Sequence, residues 1–316
     1  MAIKLPQNCT LDAAQGVFFS RQLEEIESQL YKVKYPDLEA EMFLPRRKQM
    51  GMGVDKLTSK MIDGRGKAVP FAGHEEGAPV ADIDGDEASF LMQSWVLAYQ
   101  YNLEEIEKAQ QAGVPLEAER AEIVRRGLAE AMNNMALLGD AVAGVKPGIK
   151  GLFNQASTLT YTVPATGTGA TKTWSTKAVA DVLIDLFGLV DGIPLGTLDV
   201  EGGPSKPLVM LTPKANVRLL SSLRLDSVNN TTVLEFFLKQ RPNVSIKGAN
   251  YLPTAGAAGV PRTMVYDPSQ VEWMVAMPFE QLPVEQKGYR FVTNCRARGG
   301  GVRCLFPKSI IYGDGC

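Results

Sequence analysis

Residues 115–138, PLEAERAEIVRRGLAEAMNNMALL, decide how the rest of the chain reads. Pro115 suits the first helical position, where its missing N–H costs nothing. Glu117, Glu119 and Glu122 fall in or near the first two turns, where the helix dipole favours anions. Leu116, Ala121, Val124, Leu128, Met132, Met135 and Leu138 recur at helical spacing and make one apolar stripe. Arg120, Arg125, Arg126 and Glu130 populate the other faces. Gly139 follows and can take the left-handed conformation that closes a helix. At 1.5 Å per residue this helix is roughly 36 Å long.

The chain upstream of it has little means to bury itself. Residues 1–16 read as irregular. Residues 17–30, VFFSRQLEEIESQL, predict a short helix with Phe18, Phe19, Leu23, Ile26 and Leu30 on one side. Residues 31–45 read as extended, with Pro36 and Pro45 as breakers. Residues 52–63 and 86–101 predict two long strands joined by a loop over 64–85. A two-stranded ribbon is marginal by itself in water, so it needs a surface to lie on. A neighbouring subunit is the candidate, and the pattern is that of a shell-forming protein.

Downstream, the sequence alternates. Residues 158–173 are rich in Thr, Gly and Ala and predict strand and loop. Ser175 is placed to cap a helix reaching Val190. Residues 208–211 predict a short buried strand, 213–223 and 232–240 two helices, and 244–246 a further strand. Residues 262–266 and 271–277 predict a pair of strands joined at Asp267-Pro268. The alternation implies an α/β unit. Over 289–312, Gly299-Gly300-Gly301 reads as a hairpin signal, which would place Cys295 opposite Cys304 as two packed, reduced thiols.

The totals exclude several classes. The chain has 316 residues, 45% hydrophobic and 22% charged, enough for a sizeable core. A formal net charge of -2 argues against a strongly basic nucleic-acid binder, leaving room only for weak local contact with packed DNA. No stretch approaches the apolar length of a membrane span, and the N-terminal residues lack a signal peptide's apolar run. Cys9, Cys295, Cys304 and Cys316 are too few and too scattered for a disulfide scaffold or a close-spaced zinc site.

No catalytic, cofactor-binding or metal-ligating residue emerges. His74 is the one histidine, so any Ser–His or Cys–His pair would have to use it. It lies in a Gly- and charge-rich stretch that reads as solvated loop. Asp82, Asp84 and Asp86 imitate a calcium loop, but its glycine stands fourth instead of sixth and Gln93 takes the place of the closing glutamate. Residues 167–172, GTGATK, lack the Gly-Lys-Ser/Thr ending of a phosphate loop. Glu104 and Glu105 read as the start of a helix. Arg46, Arg47 and Lys48 form a short basic run suited to an interface. Trp95, Trp174 and Trp273 are spread out and read as structural.

The stretches YNLEEIEKAQQAGVPLEAERAEIVRRGLAEAMNNMALLGD, KGLFNQ, PLVMLTP before a helix, and CRARGGGVRCLFPKSIIYGDG carry a resemblance. Their order and spacing are similar to those of tailed-phage major capsid proteins with the Hong Kong 97-type fold, in the encapsulating-protein branch. The resemblance covers nearly the whole chain. It implies an α+β fold with an N-terminal arm over 1–45 and an extended β-hairpin loop over 46–101. A peripheral domain with a long spine helix would take 102–149 and 286–316, and an axial α/β domain 150–285.

The function implied is assembly, without cofactor, catalysis or membrane. Hexamers and pentamers would close an icosahedral head around double-stranded DNA, with a portal and possible decoration proteins as partners. Many relatives carry a removable N-terminal scaffolding segment. Here Met1 stands almost at the arm, which implies a separate scaffolding protein or none. The expected location is the virion head, assembled in the bacterial cytoplasm. Candidate inter-subunit contacts are Phe18, Phe19, Arg46, Arg47, Lys48 and Trp95, and candidate genome-facing residues are Arg120, Arg125 and Arg126. Gly51, Gly53, Gly64 and Gly66 are candidate hinges. An encapsulin-type nanocompartment shell shares the fold, and a soluble α/β enzyme is the alternative of another class.

Overall fold

A computed structural model describes residues 37–47, 51–68, 80–112, 116–193, 206–225 and 230–316. Residues 38–316 group as one unit, and every element below belongs to it. The expected helix over 17–30, together with Cys9 and His74, lies outside the described residues.

The decisive helix is present as α3 (Leu116–Leu138), following α1 (Ala40–Phe43) and α2 (Leu103–Ala112) in the chain. Val124, Leu128, Met132 and Met135 of the stripe are buried. Gly139 closes the helix at φ +59°. The last carbonyls of α3 are not left bare. The Leu152 and Phe153 N–H groups donate to Ala136 and Leu137 oxygens at 2.8 and 2.9 Å. This explains why KGLFNQ stands where it does: it folds back to finish the helix.

α3 lies against a sheet in the order β1-β2-β9-β7, with β8 also on β9. These strands are β1 (Lys56–Arg65), β2 (Asp82–Asn102), β7 (Val271–Gln281), β8 (Glu285–Lys287) and β9 (Arg290–Cys304). The second sheet runs β3-β10-β6-β4-β5. Its members are β3 (Leu159–Tyr161), β4 (Leu208–Pro213), β5 (Val244–Ala249), β6 (Arg262–Tyr266) and β10 (Ile310–Asp314). The helices α4 (Val179–Asp191), α5 (Lys214–Ser222) and α6 (Val233–Gln240) complete the unit.

β4, central in the second sheet, is buried on both faces and reads as an apolar run instead of an alternating one. Along β4, Val209 and Leu211 join the α3 core, while Leu208 and Met210 join a second core with Leu186, Leu189, Leu220 and Phe237. The cap on α6 is a reciprocal pair: Glu235 N–H donates to Thr232 Oγ1, and Thr232 N–H to the Glu235 carboxylate.

Four expectations are corrected. Ser175 does not cap α4. Residues 174–176 make a 3-10 turn and α4 starts after Ala178, because fully buried Trp174 donates its indole N–H to Asp185 at 3.0 Å and holds the turn in the core. β6 and β7 do not pair with each other; Asp267, accepting from Ser269 N–H and Oγ, turns the chain from one sheet to the other. Gly64 lies inside β1 opposite Ile83, so it is a ribbon position and not a hinge between elements.

The glycine triplet is the fourth correction. β9 continues through Gly299–Gly301 without a turn; Gly299 stands opposite Gln93 of β2 and Val275 of β7, and the β2 ladder ends at Gly300. Cys295 faces Leu97 and Gln281, and Cys304 faces Val271. Nine positions apart on one strand, the two thiols are roughly 30 Å from each other, and no bond between them is geometrically open. The glycines serve close approach instead: a Cβ on Gly301 would meet the Lys150 carbonyl oxygen, and one on Gly299 the Met132 side chain. Strand pairing also crosses two of the expected limits in the sheets. β7, expected in the axial part, belongs to the α3 sheet, and β10, expected in the peripheral part, belongs to the second sheet.

Gly301→Ala therefore destabilises the subunit by about 3 kcal/mol, the upper end for overpacking a filled core. The readout is the midpoint of chemical unfolding. Gly85→Ala, whose added methyl meets nothing, is the neutral control. A second prediction concerns acid. Burial pushes the Asp140 carboxyl up, but Lys150, the Gly148 N–H and Asn154 outweigh it and hold it below its ordinary value. A carboxyl held lower in the folded chain stabilises it above the unfolded pKa of about 3.9, and that contribution is lost as pH falls through the folded value. Asp140→Asn should lower the melting temperature at neutral pH, and the gap to the parent should shrink in melts recorded below about pH 4.

Candidate assembly surface

Residues 39–47 form a strap bonded to both sheets and to α3. Buried Glu39 accepts from Asn250 N–H at 2.9 Å and pairs with Lys214 Nζ at 3.2 Å. Ala40 N–H donates to Asn133 Oδ1 on α3 at 2.8 Å. The Tyr266 hydroxyl donates to the Phe43 oxygen at 2.6 Å. On the first sheet, Trp273 N–H donates to the Pro45 oxygen at 2.8 Å, and Arg47 N–H to the Trp273 oxygen at 3.0 Å.

The strap uses the basic run internally. The Arg46 guanidinium lies 5.3 Å over the Trp273 ring and pairs with Glu41. Arg47 Nη1 stands 3.7 Å from Glu272, which Arg303 also approaches at 3.0 Å. Lys48, Phe18 and Phe19 lie outside the described residues. Trp95 is half-buried and packs against the core of its own chain. A residue type suited to interfaces is equally suited to a core, and only strand parity separates the two.

The candidate genome-facing arginines divide in the same way. Arg120 donates to the Gln100 oxygen and pairs with Glu105 at 3.1 Å. That bond, with the Asn102 N–H, holds the Glu105 carboxyl below its ordinary value. Arg126 pairs with Glu130 at 3.3 Å one turn along the helix. Arg125 is exposed and shares a groove of about 480 Å³ with Arg46, Met132, Trp273 and Phe279.

Among the described residues, the ribbon is paired on one side only over much of its length. Residues 82–91 of β2 pair with β1, and β9 joins β2 only from Met92 onward. Ile62 and Ile83, close to its far end, are 78% and 70% exposed. Asp82, Asp84 and Asp86, read as a calcium-loop imitation, stand on one face of this strand instead of in a loop. Among the described residues, no group of three or more His, Cys, Asp or Glu is placed to hold a metal ion.

Sequence reading missed the open face of the first sheet. On β2, Ser94, Val96, Ala98 and Gln100 are exposed, while Tyr99 and Tyr101 are buried. Arg298 stands opposite Ser94, and Arg296 opposite Val96. The signal was present as a two-residue alternation in Asn294-Cys295-Arg296-Ala297-Arg298, but reading the glycines as a turn ended the strand too early.

Cys304 and Cys316 are buried as thiols. Burial raises the Cys304 thiol to about 11 and the Cys316 thiol to about 12, so neither is a thiolate near neutrality. Lys177 and Asp185 form a fully buried pair at 2.5 Å, closed in by Trp174.

The sequence profile of the family described as Major capsid protein matches residues 66–316. No curated protein sequence matches the chain with significance. Solved structures do. The capsid of Myoviridae phage XM1 is 15% identical, with a TM-score of 0.77 over 95% of this chain and 99% of that one. The capsid of a native GTA particle is 10% identical, with a TM-score of 0.60 over 92% and 94%. A Mycobacterium phage Ogopogo chain is 13% identical, with a TM-score of 0.56 over 95% and 99%. These likenesses, at low identity, concern the fold, and the profile match concerns the lineage. With its long helix against one sheet, its second two-faced sheet and its bare ribbon, the chain belongs to the major capsid protein family and has the Hong Kong 97-type fold.

Proposed function

We propose that this structural major capsid protein of a tailed phage assembles into the hexamers and pentamers of an icosahedral head enclosing double-stranded DNA. Its work is assembly, not catalysis. The ribbon carries this reading: a stretch of β2 with β1 as its only strand partner among the described residues gains stability when a neighbouring subunit covers it. Ordering and association are then coupled. The sheet with α3 acts as the peripheral half, the second sheet with α4 to α6 as the axial half, and residues 1–45 as the arm. Portal, scaffolding and decoration proteins are the further partners, and the host cytoplasm is the place of assembly.

Contact with the genome is weak and phosphate-directed on this reading. Arg120 and Arg126 already hold carboxylates, and the whole chain has a net charge of -2. Isolated subunits should bind DNA without sequence preference and lose it as salt rises. Tight, sequence-selective binding in a mobility-shift assay at physiological salt would refute this.

The ribbon should be dispensable for folding and necessary for closure. Replacing residues 64–85 by a short turn is expected to leave a cooperatively melting subunit that forms no closed particles by electron microscopy. Shells of normal size from that variant would sink the interlocking role.

A further inference from the structure

The open face of the first sheet carries a pattern that the ribbon matches. Its floor is Ser94, Val96 and Ala98, short side chains on one face of β2, with Val96 69% exposed. Across the strand stand Arg298 and Arg296. Two residues apart, these positions repeat at about 6.7 Å. Arg298, its side chain 22% exposed, donates to the Val54 oxygen at 3.1 Å and pairs with Asp55, 91% exposed; Arg296 pairs with Glu280, 41% exposed. Ion pairs of this kind contribute little and exchange readily. The Arg298 Nε is buried with no hydrogen-bond partner.

The ribbon bears the complementary row. Asp82, Asp84 and Asp86 stand on one face of β2 at the same two-residue repeat. Asp84 pairs with Arg65 at 2.9 Å. Asp82 and Asp86 accept only from the next residue's N–H among the described bonds. Like charges so spaced repel one another, and an interleaved row of guanidinium groups relieves this.

We propose that the acidic face of the ribbon from a second copy of this chain docks on the open sheet face, with Asp84 and Asp86 set against Arg296 and Arg298 over the floor of Ser94, Val96 and Ala98. The inference rests on the ribbon's assembly role and names the surface that receives it. Both partners lie on regular strands with one repeat, so several charge pairs form in a single register. Val96 becomes covered in the same step.

Charge exchange tests this. Arg296→Glu/Arg298→Glu, Asp84→Arg/Asp86→Arg, and the combination of all four are each checked for cooperative melting and then for closed particles by sedimentation and electron microscopy. Each reversal alone should leave folded subunits without closed shells, and the combination should restore them. Normal shells from the arginine reversal, or no recovery in the combination, would overturn the docking. If chains lacking residues 64–85 close shells, the ribbon reading fails. If they do not, while the arginine reversal does, only this docking face fails. Should the reversals not fold, Val96→Cys/Asp84→Cys serves instead: mild oxidation of particles should give covalent multimers that reductant collapses, and their absence would overturn the proposal.

Discussion

The approach of α3 to β9 is the constraint on which the rest of this structure depends. Met132 of α3 reaches the backbone of β9 because Gly299 offers no side chain there, and the Lys150 carbonyl comes close to Gly301 for the same reason. The Val302 N–H donates to that Lys150 oxygen at 2.8 Å. One strand thus takes a helix on one face, partner strands β2 and β7 along its edges, and the Lys150 loop beyond the last β2 pair near its C-terminal end. β9 spans the first sheet, so every other strand in that sheet takes its register directly or indirectly from it. β7 accommodates this with irregularities between Trp273 and Glu280, as a strand does when it must bend around a fixed neighbour.

The second sheet is tied in by polar groups as well as by apolar packing. Glu39, buried in the strap, satisfies a backbone N–H at Asn250 and an ammonium at Lys214. Removing one partner of such a buried group leaves the other desolvated and unpaired, the costly case. The Tyr266 hydroxyl, pushed upward in pKa by burial, stays a neutral donor to the Phe43 oxygen. Polar residues here fix the relation of the strap to the strands, because hydrogen bonds have direction and apolar contacts do not. The same segment presents Arg46 and Trp273 at the groove beside α3.

The ribbon inverts this economy. Its residues have cross-strand hydrogen bonds but little apolar cover, and the surface pairs Lys60–Glu87 and Arg65–Asp84 are mostly solvent-exposed. Such pairs add little in water. On the proposed assembly reading, a segment that is poorly stabilised alone is where binding of a neighbour contributes most. The buried thiols and the closed Lys177–Asp185 pair show the opposite arrangement in the cores, where polar groups are enclosed within the subunit.

Much of this was readable in the amino-acid order. The periodicity of residues 115–138, the closing Gly139, the capping pair at Thr232 and Glu235, and the ribbon strands all rest on interactions spanning a few residues, which the sequence by itself determines. Local signals failed where a residue has two uses. Glycines 299–301 suit a tight turn or a strand that something approaches closely, since lacking a Cβ permits both, and only Met132 and Lys150, far away in sequence, select the second. Asp267-Pro268 ends a strand whether the next one pairs beside it or crosses to another sheet. Trp95 and Arg296 have side chains apt for a core or an interface, and the pleat against α3 alone assigns one to each face. The sequence thus set which segments are helix and strand, while tertiary structure decided which strands are neighbours and which faces remain bare, because pairing and burial are settled between residues that only the fold brings together.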